Sequence, residues 1–196
     1  MTNALLVIDV QESFCQRASW RLASNPDIVA KVNALVAKAR SDNDLVVWVL
    51  HTEPGTGTVF DPANGHVRLM RGLVPREGEP VLHKTAHNAF TTTNLQRLLT
   101  ARGIRELTVS GIRTEQCCET TARIASDLGF DVTFVTDATA TEPLRHWTAP
   151  ADMTPEQLLA DPRTLSVEDV ITRTEYALAG RFATIRTVAE LTGAEH

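Results

Sequence analysis

A chain of 196 residues, 43% hydrophobic and 22% charged, has the composition of a globular domain long enough to enclose one large core. Its formal net charge of -5 is carried by interspersed acids and bases and its aromatic content is 5%, which excludes a basic stripe for a polyanion and a stacking platform for single-stranded nucleic acid. Three cysteines, two of them adjacent, make no disulfide framework and no CxxC or His/Cys zinc cluster, so a reduced, cytoplasmic setting is expected.

The first apolar run, residues 4–8, is too short to span a bilayer and lacks the basic flank of a signal peptide. With Asp9 it reads as a strand, as do 45–51, 80–83, 107–111 and 131–136. These runs are continuously apolar rather than alternating, the pattern of parallel strands covered by helices on both faces. Amphipathic segments lie between them. Asn25 is placed to cap a helix with Pro26 at its first position, and Ile28, Val32, Leu35, Val36 and Ala39 share one face. Thr93 or Asn94 opens a second helix that Gly103 stops, and a third runs from near Gln116 to Gly129. After Asp137 the rhythm breaks. Residues 138–165 hold Pro143, Pro150, Pro155 and Pro162, with a capping-box pattern from Thr154 to Gln157 that marks a short helix. Ser166 then caps a longer helix ending near Gly180, and a sixth strand at 182–186 precedes a short terminal helix. The expectation is one domain over 1–196 with an excursion at 138–165. Its class is α/β: a three-layer αβα Rossmann-like domain with a mainly parallel six-stranded sheet and right-handed crossovers.

Ligands of such sheets gather beyond the carboxyl ends of the strands. Asp9 ends the first strand, Lys84 follows the third, and Cys117 lies just past the fourth, where a helix begins. Taken singly these residue types read as a turn acid, a solvated cation and a small buried hydrophobe. Together they read as chemistry. A thiol at a helix start beside an ammonium is expected to have a depressed pKa, and a carboxylate next to it supplies a proton acceptor. The sequence DVQESF after the first strand carries no G-x-G-x-x-G, which argues against a dinucleotide cofactor. No second acid beside Asp9 supports a phosphoacceptor site.

Three blocks carry a family resemblance. LLVIDVQESF (5–14), HKTAHNAF (83–90) and GIRTEQCCETTARIASDLGFDVTFVTDATA (111–140) resemble, in order and spacing, the conserved blocks of isochorismatase-like cysteine hydrolases. The resemblance implies that Asp9, helped by Lys84, takes the proton of Cys117, whose thiolate attacks a substrate carbonyl. It also implies an oxyanion hole from the backbone N–H groups of Arg113 and Cys117, a cis peptide between Ile112 and Arg113, and no cofactor. True isochorismatases lack the cysteine, so Cys117 favours an amide or related C–N bond over an ether. Nicotinamidases carry Asp-x-His-x-x-x-His after the second strand, which His51, Glu53 and His66 do not reproduce, so no metal site is expected. The chain is thus most similar to the N-carbamoylsarcosine amidase branch. Cys118 reads as packing. Phe14 and Trp147 are the candidate pocket residues, and specificity is expected from the loop 52–79 and the excursion 138–165. Arg68, Arg71, Arg76 and Arg145 are unranked candidates for a substrate carboxylate. The expected partners are a small-molecule substrate and copies of the chain itself in a dimer or tetramer, whose excursion closes its own or a neighbour's site; neither nucleic acid nor a membrane is expected. The alternatives are a catalytically silent binding or assembly subunit and an ether-cleaving hydrolase.

Overall fold

The central strands are buried on both faces: Leu6, Val7 and Ile8 of the first, and Val47, Trp48 and Val49 of the second, are each 0% exposed in the computed structural model, which describes residues 3–193. The six strands are β1 (Asn3–Ile8), β2 (Leu45–His51), β3 (Val81–Lys84), β4 (Glu106–Ile112), β5 (Asp131–Ala140) and β6 (Thr184–Arg186). They form one sheet in the order β3-β2-β1-β4-β5-β6, and every pairing is parallel. The three-layer Rossmann-like class is therefore what the chain adopts. Alternate residues of each strand enter opposite cores. Leu5, Val7, Val46 and Trp48 pack with Ile28, Val32 and Leu35 of α1 (Ile28–Ser41). Leu6, Ile8, Val47 and Val49 pack with Leu95 and Leu99 of α2 (Leu95–Ala101), Ala122 and Ala125 of α3 (Glu119–Asp127), and Leu178. Among the described residues, no helix is long and apolar enough to cross a membrane.

Three readings of the sequence need correction. The β3 run is not buried on both faces; Val81 is 41% exposed, because this short strand forms the sheet edge. Asn25 does not cap the first long helix. Its side chain instead donates to the Asp137 and Thr139 carbonyls, and the helix begins at Ile28. Nor does the fifth strand end near Asp137. It bulges, so that the partners of Val109 and Gly111 are Phe134 and Thr139, and it resumes to Ala140. Asp137 sits in that irregular stretch, where its carboxylate meets Lys31 at 3.2 Å and accepts the Val188 N–H at 2.8 Å.

The excursion after β5 contains a short helix, Pro155–Ala160, with the expected Thr154–Gln157 capping box. Ser166 accepts the Asp169 N–H at the start of the next helix, Val167–Leu178. Where the strand order reverses, between β1 and β4, the backbones come very close. A β-carbon on Gly111, whose φ is +135°, would lie 1.9 Å from the Ile8 carbonyl oxygen. This is the point where a doubly wound sheet opens its ligand crevice.

Candidate active site

Asp9 leaves β1 in the left-handed region, with φ of 54°, an uncommon conformation for a residue with a side chain. Its N–H donates to the Val49 carbonyl and its own carbonyl accepts the Gln11 N–H, both at 2.8 Å. Gln11 is buried and spans to β2, accepting the His51 N–H at 2.8 Å and donating to the His51 carbonyl at 3.1 Å. The turn after β1 is thus tied to the end of the neighbouring strand.

Lys84 ends β3 and is 0% exposed. Its Nζ lies 2.7 Å from Asp9 Oδ2, 3.5 Å from Cys117 Sγ and 3.3 Å from His51 Nδ1, and it donates to the Ala86 carbonyl at 3.2 Å. Cys117 is carried on a wide turn, Thr114–Cys118, in which the Cys118 N–H donates to the Arg113 carbonyl five residues back at 3.1 Å. Such π-type turns are over-represented at functional sites. The peptide bond between Ile112 and Arg113 is cis. The structure therefore gathers Asp9, Lys84 and Cys117 from the ends of three strands onto one rim.

Burial raises the Asp9 carboxyl above its usual range despite the opposing pull of Lys84. For Lys84, burial acts downward, but Asp9 and Cys117 outweigh it and hold the ammonium protonated. The Cys117 thiol is pushed up to about 12, first by burial and then by the Asp9 carboxylate, with Lys84 acting against both. This overturns the expectation of a depressed thiol. The ammonium and the helix start are present, but a side chain in a residue only 7% exposed beside a carboxylate loses more from desolvation and repulsion than it gains. The resting cysteine is a thiol. Both Asp9 oxygens are buried without a well-angled hydrogen bond, so they retain acceptor capacity for its proton.

His51, named in the sequence only for failing the metal-ligand spacing, is a fourth member of this group. Its Nδ1 faces the Lys84 ammonium, and its Nε2 lies 3.3 Å from Glu53 Oε1. Burial and the Lys84 charge hold its pKa below the usual value, so the imidazole is neutral at neutral pH and accepts at Nδ1. Its position at the end of β2 was the only signal in the sequence. Cys118 is 0% exposed within the core, and Ser13 uses the His66 carbonyl rather than its ring. Phe14 is 5% exposed and joins the site through aromatic contacts: its ring packs on Phe60 at 5.1 Å, and Phe60 meets His51 edge-on at 5.5 Å. Trp147 is 82% exposed and borders a cavity of about 390 Å³ that Arg113 also lines. Of Arg68, Arg71, Arg76 and Arg145, the candidates for a substrate carboxylate, Arg145 alone lines that cavity; Arg17, which no sequence pattern marks, does too. Arg68 donates instead to the Gly65 carbonyl, while Arg71 and Arg76 meet Glu12 and Glu79 through backbone N–H groups.

A family profile described as the isochorismatase domain matches residues 3–164. The chain belongs to that family. A streptothricin hydrolase from Streptomyces noursei is 36% identical over 139 residues, covering 71% of this chain and 50% of the relative. A ureidoacrylate amidohydrolase from Enterobacter is 28% identical over 171 residues, covering 70% of this chain and 74% of the relative. In structure, an isochorismatase from Pseudomonas putida superposes with a TM-score of 0.82 at 27% identity, covering 96% of this chain and 89% of the other. A hydrolase of the family from Chromobacterium violaceum, described as putative in its own right, gives a TM-score of 0.85 at 25% identity, covering 98% and 93%. The fold and the family, hydrolases that include amidohydrolases, are thus the isochorismatase-like ones.

Proposed function

We propose that the chain hydrolyses an amide or related non-peptide C–N bond of a small molecule through a Cys117 acyl-thioester. The observation that carries this reading is the buried contact of Lys84 Nζ with both Asp9 Oδ2 and Cys117 Sγ, at 2.7 and 3.5 Å. A buried ammonium paired to a carboxylate needs no thiol for stability, so the sulfur's place beside the pair is best explained by proton transfer.

Asp9, raised by burial, takes the thiol proton as Cys117 Sγ attacks the substrate carbonyl. Matching a raised acid to a thiol near 12 narrows the uphill gap, and Lys84 stabilises the thiolate as it forms. Negative charge then collects on the carbonyl oxygen, for which the backbone N–H groups of Arg113 and Cys117 are the proposed donors. The tetrahedral adduct collapses with its proton passing from Asp9 to the leaving nitrogen, and ammonia or an amine departs. Water, deprotonated by Asp9, attacks the thioester; the acid product leaves and the proton returns to sulfur. Asp9, Lys84 and Cys117 are the catalytic residues of this scheme, and no cofactor enters it.

An ammonia-release screen over small amides and ureido acids, run with Cys117→Ala alongside, tests the proposal. Turnover that disappears in Cys117→Ala, with an acyl adduct on Cys117 by intact mass, is the expected result. A substrate turned over equally well by the variant would reject it.

A further inference from the structure

Lys84 ends β3, and the stretch that follows it, residues 85–94, belongs to neither helix nor strand and is held together by its own side chains. Thr92 Oγ1 accepts the Thr85 and Ala86 N–H groups at 3.0 and 3.2 Å, which pins the residue whose carbonyl accepts from Lys84 Nζ. Buried Asn88 accepts the Phe90 and Thr91 N–H groups at 2.9 Å each, and the Thr93 hydroxyl donates to the Ala89 carbonyl at 2.6 Å. The Ala89 N–H is used differently. It points out of the loop and donates to Thr121 Oγ1 at 3.1 Å. Thr121 is 0% exposed on α3, four residues beyond Cys117 and so on the same side of the helix that carries it. The helix itself is anchored from elsewhere. Buried Glu119 pairs with Arg123 and Arg173 and accepts the Thr174 hydroxyl at 3.3 Å, tying α3 to the helix Val167–Leu178. The loop, by contrast, exposes Thr85, His87, Thr91 and Thr92. When the link between them is cut, the lysine loop is the side that yields.

We infer that Thr121 is a positioning residue: its hydroxyl locks the loop after Lys84 to the nucleophile's helix and so holds the Lys84 ammonium against Cys117 Sγ. Thr121 touches no reacting atom and acts through Lys84. Ala89 is 0% exposed, so its N–H needs a protein acceptor. Without that acceptor the loop must move outward to hydrate the N–H, and it carries the Ala86 carbonyl with it. The three protons of Nζ are divided among four neighbours: Asp9, Cys117, His51 and the Ala86 carbonyl. Asp9, at 2.7 Å, exerts the strongest pull, and the Ala86 carbonyl is the counterweight to it. Its withdrawal lets the ammonium settle on the carboxylate and away from the sulfur, which now lies 3.5 Å off. The inference rests on Cys117 being the nucleophile.

The test reads the cysteine directly and needs no natural substrate. In a Cys15→Ser background, which removes the one exposed cysteine, Cys117 is alkylated with iodoacetamide. Sγ bonds to the reagent's methylene carbon, iodide and a proton leave, and intact mass follows the rate. Thr121→Val keeps the side-chain shape and loses the acceptor; it should slow labelling about fivefold or more, because Lys84 then stabilises the thiolate less. Thr121→Ser keeps the hydroxyl and should recover most of the rate. In Lys84→Met, where no ammonium remains to be placed, adding Thr121→Val should change the rate by less than about twofold. Turnover gives the matching split: on an amide accepted in the screen, Thr121→Val should lower kcat about fivefold or more with KM changed less than about twofold. Labelling of Thr121→Val at the parent rate, an equally deep loss in Thr121→Ser, or the same loss in the Lys84→Met background would overturn the positioning role and leave Cys117 as the nucleophile. The Thr121→Ser comparison needs no Lys84 variant, so it decides the matter even where Lys84→Met does not fold. A parent in which Cys117 is never labelled, or an amide turned over as fast by Cys117→Ala, would overturn the nucleophile, and the positioning with it.

Discussion

Replacing Lys84 by methionine keeps most of the side-chain volume and removes the charge, leaving Asp9 at 0% exposure with no cation in contact. Breaking a buried pair from one side costs about 3–5 kcal/mol. For a domain of this size that corresponds to a fall in Tm of roughly 6–20 °C. The cost should depend on pH in a definite sense. Burial already raises the Asp9 carboxyl, and without the ammonium it rises further, while in the unfolded chain it titrates near its ordinary value. The folded variant then binds the proton more tightly than the unfolded one, so its stability grows as pH falls through the raised value towards about 4. Urea unfolding at pH 7.5 and 5.5 should therefore show the Lys84→Met deficit shrinking at the lower pH. Asp9→Asn in the same chain removes the stranded charge, and the double variant should be more stable than the two single losses predict by more than about 1 kcal/mol. A deficit indifferent to pH, or strict additivity, would refute the reading of Asp9 and Lys84 as a coupled buried pair.

Other outcomes follow from the same geometry. With its thiol at about 12, Cys117 in the free enzyme should be alkylated by iodoacetamide at a rate that climbs about tenfold per pH unit from 7 to 9; a plateau with a midpoint near 7 would show a resting thiolate instead. Gly111→Ala should prevent soluble folding, because the new β-carbon would meet the Ile8 carbonyl oxygen at 1.9 Å and backbone must move; Gly129→Ala, with open space around it, should cost only about 1 kcal/mol of backbone strain, read from the urea midpoint. On an amide accepted in the screen, His51→Leu should lower kcat tenfold or more with KM changed less than twofold, and His51→Asn should restore part of the loss; equal damage from both would assign His51 to packing alone.

The parallel sheet and the rim were legible because such a sheet demands continuous apolar runs, and residues 4–8 and 45–51 supply them; the strand order was not. Asp9, Lys84 and Cys117 were legible because each follows such a run. Edge strands and bulges were not. Val81 in β3 and the stretch around Asp137 in β5 look like their buried neighbours in composition, and only the position in the sheet tells them apart. The Cys117 pKa was misjudged for a related reason. A nearby cation is visible in a sequence once the fold is guessed, whereas the depth of burial that outweighs it is a sum over contacts from many segments. Arg17 was invisible for lack of a pattern: it belongs to an irregular stretch after the helix Glu12–Cys15 and meets Arg113 and Glu142 only in three dimensions.

The sheet spacing explains why the cation is a lysine and why a histidine stands beside it. Neighbouring strands lie about 4.8 Å apart, so β3 is roughly 10 Å from β1 in the order β3-β2-β1-β4. Asp9 and Cys117 flank the reversal between β1 and β4 and can meet with short side chains. A charge contributed from β3 must instead cross the end of β2, which the flexible four-carbon stem of Lys84 does. The residue at the end of β2 is His51, the register partner of Lys84, so it necessarily lies along the path of that side chain. An acid in this place would draw the ammonium away from Asp9, and a second cation would repel it. A neutral imidazole, held to Glu53 on its far side, accepts one of the three N–H groups and leaves two to be shared among Asp9, Cys117 and the Ala86 carbonyl. The demand placed on His51 is therefore neutrality together with an acceptor at a fixed position, which asparagine can meet in part and leucine cannot.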